Sequence, residues 1–105
     1  MADVILAIDQ GTTGTTALLV DRKLNVIAKT NQEFKQYYPK PGWVEHDLDD
    51  IWKSTISVIK TVLNKGRIKV HQIAAIGITN QRETTCLWNP KTGQPLFRAI
   101  VWQCR

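Results

Sequence analysis

No apolar stretch in this 105-residue sequence comes near the ~20 consecutive residues that a bilayer-spanning helix needs. The N-terminus also lacks the basic-then-apolar order of a secretory signal. The chain therefore reads as soluble, with no membrane partner and the cytoplasm as its default location. Cysteine is scarce. The two present, Cys86 and Cys104, have no metal-ligand spacing and build no disulfide framework, which suits a reducing compartment. Internal repeats and low-complexity segments are missing, and so is the GxxxxGK[ST] order of a P-loop. Acidic residues are nearly absent after Asp50, where Glu83 stands alone, while basic residues run on to Arg105 and the formal net charge is +5. Such asymmetry can mark nucleic-acid binding. Here, however, the Lys and Arg residues of the second half are scattered singly, with no interleaved aromatics on which bases could stack. No nucleic-acid partner is expected, and a solvated basic face or attraction for an anionic substrate accounts for the charge.

What is present suffices for one domain with a modest core, since 43% of the residues are hydrophobic. Residues 4–8 (VILAI) form a short run rich in branched side chains and read as a buried first strand ended by Asp9. A glycine- and threonine-rich loop follows, Gln10-Gly11-Thr12-Thr13-Gly14-Thr15-Thr16, and then a second apolar run over 17–20. Together they predict a hairpin in which Gly11 and Gly14 take positive φ or let a ligand approach the backbone. Backbone N–H groups and the Thr12 and Thr13 hydroxyls could cradle phosphate oxygens there, and Asp9 could hold the waters of a Mg²⁺ ion. A threonine-rich hairpin tip without a ligand fits the same pattern equally well. After a turn at 21–25, residues 26–30 return as a third strand, giving a three-stranded antiparallel meander. The Pro- and Gly-containing stretch 37–43 reads as a rigid connection whose aromatics cover a core edge.

Asp47 is placed to cap the one clear helix, with Asp49 and Asp50 in its first turn and Gly66 as its stop. Leu48, Ile51, Trp52, Ile56, Ile59, Val62 and Leu63 make its apolar face, so it reads as a crossover helix flanking the strand that follows. That strand is the centre of the chain. Residues 73–78 (IAAIGI) show no polar face and predict a strand buried on both sides, and the polar cluster Asn80-Gln81-Arg82-Glu83 comes directly after it. Ligands in open α/β sheets tend to sit beyond such strand ends. An adjacent Arg and Glu offer donors and acceptors suited to a molecule with several hydroxyls. A solvated loop, or a surface ion pair between the two, remains the plain alternative. Residues 84–88 read as a further strand, 89–93 as a turn, and 96–102 as an apolar element cut short at the chain end. A truncated piece of something larger is expected, and the predicted order is β-β-β-α-β-β followed by an incomplete element.

Four stretches in this order and spacing are specific: Asp9-Gln10-Gly11-Thr12-Thr13, the run from Pro39 to Asp47 (PKPGWVEHD), the run from Ile78 to Thr85 (ITNQRETT), and Ile100-Val101-Trp102-Gln103-Cys104-Arg105. Over essentially its whole length the chain resembles the N-terminal segment of the FGGY carbohydrate kinase family, in its glycerol-phosphorylating branch. The resemblance implies an α/β, ribonuclease H-like (actin-type ATPase) domain, of which residues 1–105 would be the N-terminal part only, with a second domain absent. It also implies ATP-dependent phosphorylation of glycerol to sn-glycerol 3-phosphate with ATP/ADP and Mg²⁺, and a possible homo-oligomer at full length. By the same resemblance Asp9 would serve the metal, and Thr12, Thr13, Gly14 and Thr16 would lie in the loop that binds the nucleotide phosphates. Arg82 and Glu83 would hydrogen-bond the glycerol hydroxyls, with Trp102 packed on its carbons. The catalytic aspartate is expected beyond Arg105, which leaves this chain inactive alone. Two positions depart from the pattern: many relatives carry serine at Gly14 and arginine at Thr16, and losing that arginine removes a bidentate phosphate donor. A kinase for another polyol or sugar, and a non-catalytic binding module that keeps the fold, are the competing expectations.

Overall fold

Strict alternation organises the N-terminal strands. The computed structural model of the protein describes residues 3–104. In β1 (Val4–Gln10) Val4, Leu6 and Ile8 are buried while Ile5 and Asp9 are exposed, so the run is covered on one face and not on both. Antiparallel pairing with β2 (Gly14–Val20) sets Leu6 opposite Leu19 and Ile8 opposite Ala17. β3 (Val26–Glu33) pairs antiparallel with β2 and brings Ala28 opposite Leu19. One apolar row thus runs Leu6–Leu19–Ala28 across three strands.

Helix α1 (Leu48–Gly66) covers this row with Val58 and Val62, and Ile59 and Leu63 pack beside them. The buried stripe passes through Ser54, Val58 and Val62, whereas Trp52, expected on the apolar face, is 64% exposed. The helix starts as expected. Asp47 accepts a hydrogen bond from the Asp49 backbone N–H at 2.8 Å, and Asp49 and Asp50 occupy the positive first turn. Asp47→Ala should cost about 1 kcal/mol, the usual worth of a cap, read as faster amide exchange in the first turn of α1 with β1 and β2 unaffected. It also ends at Gly66, the expected stop, but glycine does not supply the cap. Arg67, not a glycine, takes the left-handed capping conformation (φ 54°) and donates its N–H to the Asn64 and Leu63 carbonyls. Gly66 serves packing instead: a Cβ there would lie 2.8 Å from Leu19 Cδ1 and 3.3 Å from Ala28 Cβ.

The fifth strand, β5 (Ile73–Asn80), joins β1 in parallel and completes a mixed sheet of order β3-β2-β1-β5. It is a strand where one was expected, but it is not buried. Ile76 is 57% and Ile78 72% exposed, because β5 is the edge strand and α1 lies over β2 and β3, leaving both its faces uncovered within the described residues. Two short strands remain, one at a position not anticipated and one inside the apolar element expected at 96–102. β4 (Glu45–His46) pairs antiparallel with β6 (Ala99–Ile100) as a separate ribbon. The strand expected at 84–88 is reduced to isolated bridges, Thr85 with Ile100 and Trp88 with Pro95. No helix among the described residues is long and apolar enough to cross a membrane.

The turns follow their local chemistry. Asp21 Oδ1 accepts from the Lys23 and Asn25 backbone N–H groups, 2.9 Å each, which holds the Asp21 carboxyl below its ordinary range. The 89–93 turn closes through Gly93 N–H to the Asn89 carbonyl at 2.8 Å, with Gly93 at φ 75°. In the 37–43 connection Tyr38 is 69% exposed and covers no core, while Tyr37 bridges to Glu45.

Candidate functional site

Parallel register decides where the two polar loops meet. Asp9 pairs with Thr79 and Gln10 with Asn80, so the loop after β1 and the turn after β5 leave the sheet at the same carboxyl edge. Gln81 N–H donates to the Gln10 carbonyl at 2.8 Å and joins them directly.

The first loop is closed by Gly11 N–H to the Gly14 carbonyl, 2.9 Å. Neither glycine takes positive φ, contrary to expectation; among the described residues the left-handed glycines are Gly42 and Gly93. At Gly14 a Cβ would stand 2.9 Å from the Gln32 carbonyl oxygen and 3.1 Å from Glu33 Cα, both backbone atoms of β3, so a larger residue here calls for a shift of that strand. Thr13 is exposed and Thr12 half-buried. Trp102 reaches across the chain to this loop and donates its indole N–H to Thr12 Oγ1 at 3.0 Å.

On the sheet face away from α1, cross-strand pairing aligns Asn31, Thr16, Asp9 and Thr79 in one polar row over all four strands. Thr16 Oγ1 accepts from Asn31 Nδ2 at 2.7 Å. Beside the row lies a depression of about 340 Å³ lined by Ala7, Ile8, Asp9, Thr16, Leu18, Lys29 and Thr79. One exposed carboxylate flanked by hydroxyls is a hard-oxygen donor set. It fits Mg²⁺, which keeps several waters and takes further oxygens from substrate phosphates, and no cluster of three acidic, His or Cys side chains among the described residues offers a complete cage.

At the second loop Arg82 and Glu83 are exposed, and Glu83 sits at φ 55°. They form no ion pair. The one salt bridge among the described residues is Arg98 to Glu45 at 3.6 Å. A non-glycine residue held in the left-handed region costs of order 1–3 kcal/mol, and such outliers cluster at binding sites. Asp9, Thr12, Thr13, Gly14, Thr16, Arg82 and Glu83 are therefore brought to one edge of the sheet, and Trp102 is tied to it through Thr12. Arg105, the last residue of the fourth motif, lies outside the described residues.

Sequence reasoning assigned nothing to the groups that connect the loops. His46 is fully buried, with Nε2 2.6 Å from Gln36 Oε1 and Nδ1 3.2 Å from Gln81 Nε2. Burial pushes its pKa below the ordinary 6.5. The signal available was its place in the Pro39-to-Asp47 motif, which says nothing of its partners.

A family model described as the FGGY family of carbohydrate kinases, N-terminal domain, matches residues 4–105. The chain belongs to the FGGY family of carbohydrate kinases. Within the FGGY proteins it is 57% identical over 105 residues to a glycerol kinase of Caldanaerobacter subterraneus subsp. tengcongensis, covering 100% of this chain and 21% of that protein. The crystal structure of Plasmodium falciparum glycerol kinase with ADP superposes with a TM-score of 0.87 at 36% identity, over 99% of this chain and 21% of that one. A xylulose kinase of Rhodospirillum rubrum gives a TM-score of 0.87 at 23% identity, over 97% of this chain and 21% of that one, which speaks for the fold alone. The chain thus spans about a fifth of the length of the FGGY relatives it matches.

Proposed function

We propose that residues 1–105 are the N-terminal part of the first domain, ribonuclease H-like and actin-type, of a cytoplasmic glycerol kinase, which transfers the γ-phosphoryl group of ATP to glycerol and yields sn-glycerol 3-phosphate. The observation that carries this reading is the parallel, in-register pairing of β1 with β5, which sets a phosphate-type loop beside an Arg-Glu turn. Identity of 57% to a glycerol kinase supports glycerol over other FGGY substrates.

In this reading the nucleotide phosphates lie against Thr12, Thr13, Gly14 and Thr16. Asp9 holds Mg²⁺, which when bound neutralises phosphate charge. Arg82 donates to, and Glu83 accepts from, the glycerol hydroxyls. A triol gripped by such polar partners is told apart from an analogue lacking a hydroxyl, which would leave a donor or an acceptor unpaired. Trp102 packs on the glycerol carbons, and its indole N–H on Thr12 links that wall to the phosphate loop. This chain's contribution is to position both substrates for in-line transfer. The general base is expected beyond Arg105, and a homo-oligomer at full length is part of the same proposal.

A coupled assay of ADP release on the full-length protein tests it. Glycerol-dependent turnover is expected, with none from the 105-residue chain by itself. Turnover on xylulose or another polyol in preference to glycerol would move the assignment within the FGGY family. No turnover on any polyol, with no heat on titration of ADP–Mg²⁺, would replace it with a binding module that keeps the fold.

A further inference from the structure

Three polar side chains among the described residues are buried, and two of them, Thr15 and Ser54, satisfy each other at 2.7 Å. The third, His46, has no role in the reaction as proposed, yet both its ring nitrogens are engaged from different parts of the chain. The orientation of each partner amide is set independently. Gln36 Nε2 donates to the Thr12 and Phe34 carbonyls at 3.1 and 3.4 Å, which turns its oxygen towards His46. Gln81 Oε1 accepts the Thr84 hydroxyl at 2.8 Å, which turns its nitrogen towards His46 and Gln10. With an acceptor at Nε2 and a donor at Nδ1, only the neutral imidazole carrying its proton on Nε2 satisfies both contacts.

The hydrogen bonds therefore run without a break from the Thr12 carbonyl through Gln36, His46 and Gln81 to the Thr84 hydroxyl. One end grips the loop of Thr12 and Thr13. The other grips Gln81 and Thr84, the two residues that bracket Arg82 and Glu83. The ring itself is held edge-on by Phe34, centroids 4.8 Å apart at 83°. We propose that His46 is a positioning residue whose neutral ring locks the phosphate loop and the Arg82-Glu83 turn into one rigid unit, setting the gap across which the phosphoryl group moves. This deepens the kinase reading and rests on it. Burial, which disfavours the charged ring, acts in the same direction.

Misplacing reacting groups by about 1 Å can cost on the order of 100-fold in rate. His46→Phe keeps the ring and its contact with Phe34 but removes both hydrogen bonds. In the full-length protein it should lower kcat about 10- to 100-fold per folded molecule while the KM values for ATP and glycerol change less than about threefold. His46→Gln, which can still reach Gln36, should recover part of the loss. A purely structural His46 would instead lower the folded yield and leave kcat per folded molecule within twofold, and that result would overturn the proposal. Two measurements stand apart from catalysis. The ring nitrogen shifts of the unsubstituted protein should report the Nε2–H tautomer at neutral pH, and His46→Phe should speed amide exchange at both Gly11 and Gln81. An Nδ1–H ring, or faster exchange in one loop only, would sink the lock even if the protein proves a kinase. Both signatures in a protein that phosphorylates no polyol would uphold the lock and refute the kinase reading.

Discussion

Truncating Leu19 to alanine is expected to remove about 2–5 kcal/mol of folding stability, a large share of the ~5–15 kcal/mol that a typical domain possesses. Leu19 is fully buried at the middle of the Leu6–Leu19–Ala28 row, and its Cδ1 lies directly under Gly66 of α1. The neighbours on two sides, Ala28 and Gly66, are too small to move into the space. The cavity would stay open, and the cost should fall in the upper part of that range. Native-state hydrogen exchange is the suitable reading, since it follows β1 and β2 amides without assuming a single unfolding step. Protection there should fall about 30- to 4,000-fold, at tenfold per ~1.4 kcal/mol. Leu24→Ala provides the contrast, because Leu24 is 80% exposed and surface truncations of this kind stay within about 0.5 kcal/mol. A change below tenfold for Leu19→Ala would mean that the helix does not pack on the sheet as described.

Glu83→Gly should separate stability from activity. The residue is held at φ 55°, a region that glycine enters freely and other residues enter at a cost of roughly 1–2 kcal/mol. Relief of that strain is offset in part by the larger entropy glycine loses on folding, ~0.5–1 kcal/mol. The net result should be unchanged to slightly higher stability, by up to about 1 kcal/mol. Activity should move the other way. A charge-assisted hydrogen bond is worth about 1.5–3 kcal/mol, so kcat/KM for glycerol should drop about 10- to 150-fold in the full-length protein. Glu83→Gln keeps the length and the strained backbone while losing the charge, and should give a smaller loss with no gain in stability. Full activity in Glu83→Gly would remove Glu83 from the glycerol site.

The features that were legible in the chain are those whose cause lies within a few residues. Asp47 caps α1 because its carboxylate reaches an N–H two positions on, and Asp21 closes its turn in the same way. The first hairpin is legible for the same reason, as a polar Gly-Thr segment between two branched apolar runs. Misreadings arose where the cause belongs to another element. Gly66 does end α1, yet what favours glycine there is contact with Leu19, and Gly14 reads as a positive-φ turn position yet is hemmed in by the β3 backbone. Residues 84–88 have strand-forming side chains yet no neighbouring ladder to complete, so only bridges form.

The site divides along the same line. Its residue types and their order, Asp9 with the threonine loop and Arg82 with Glu83, are a property of the linear chain, because motif chemistry depends on adjacent side chains. Their convergence is not, since it follows from β1 and β5 running parallel in register across more than sixty intervening positions, about which local preference is silent. Whether the apolar run of β5 is covered, and which partners His46 finds 10 and 35 positions away, emerged only from packing. Burial and long-range hydrogen bonds belong to pairs of elements, and no single stretch of residues carries that information.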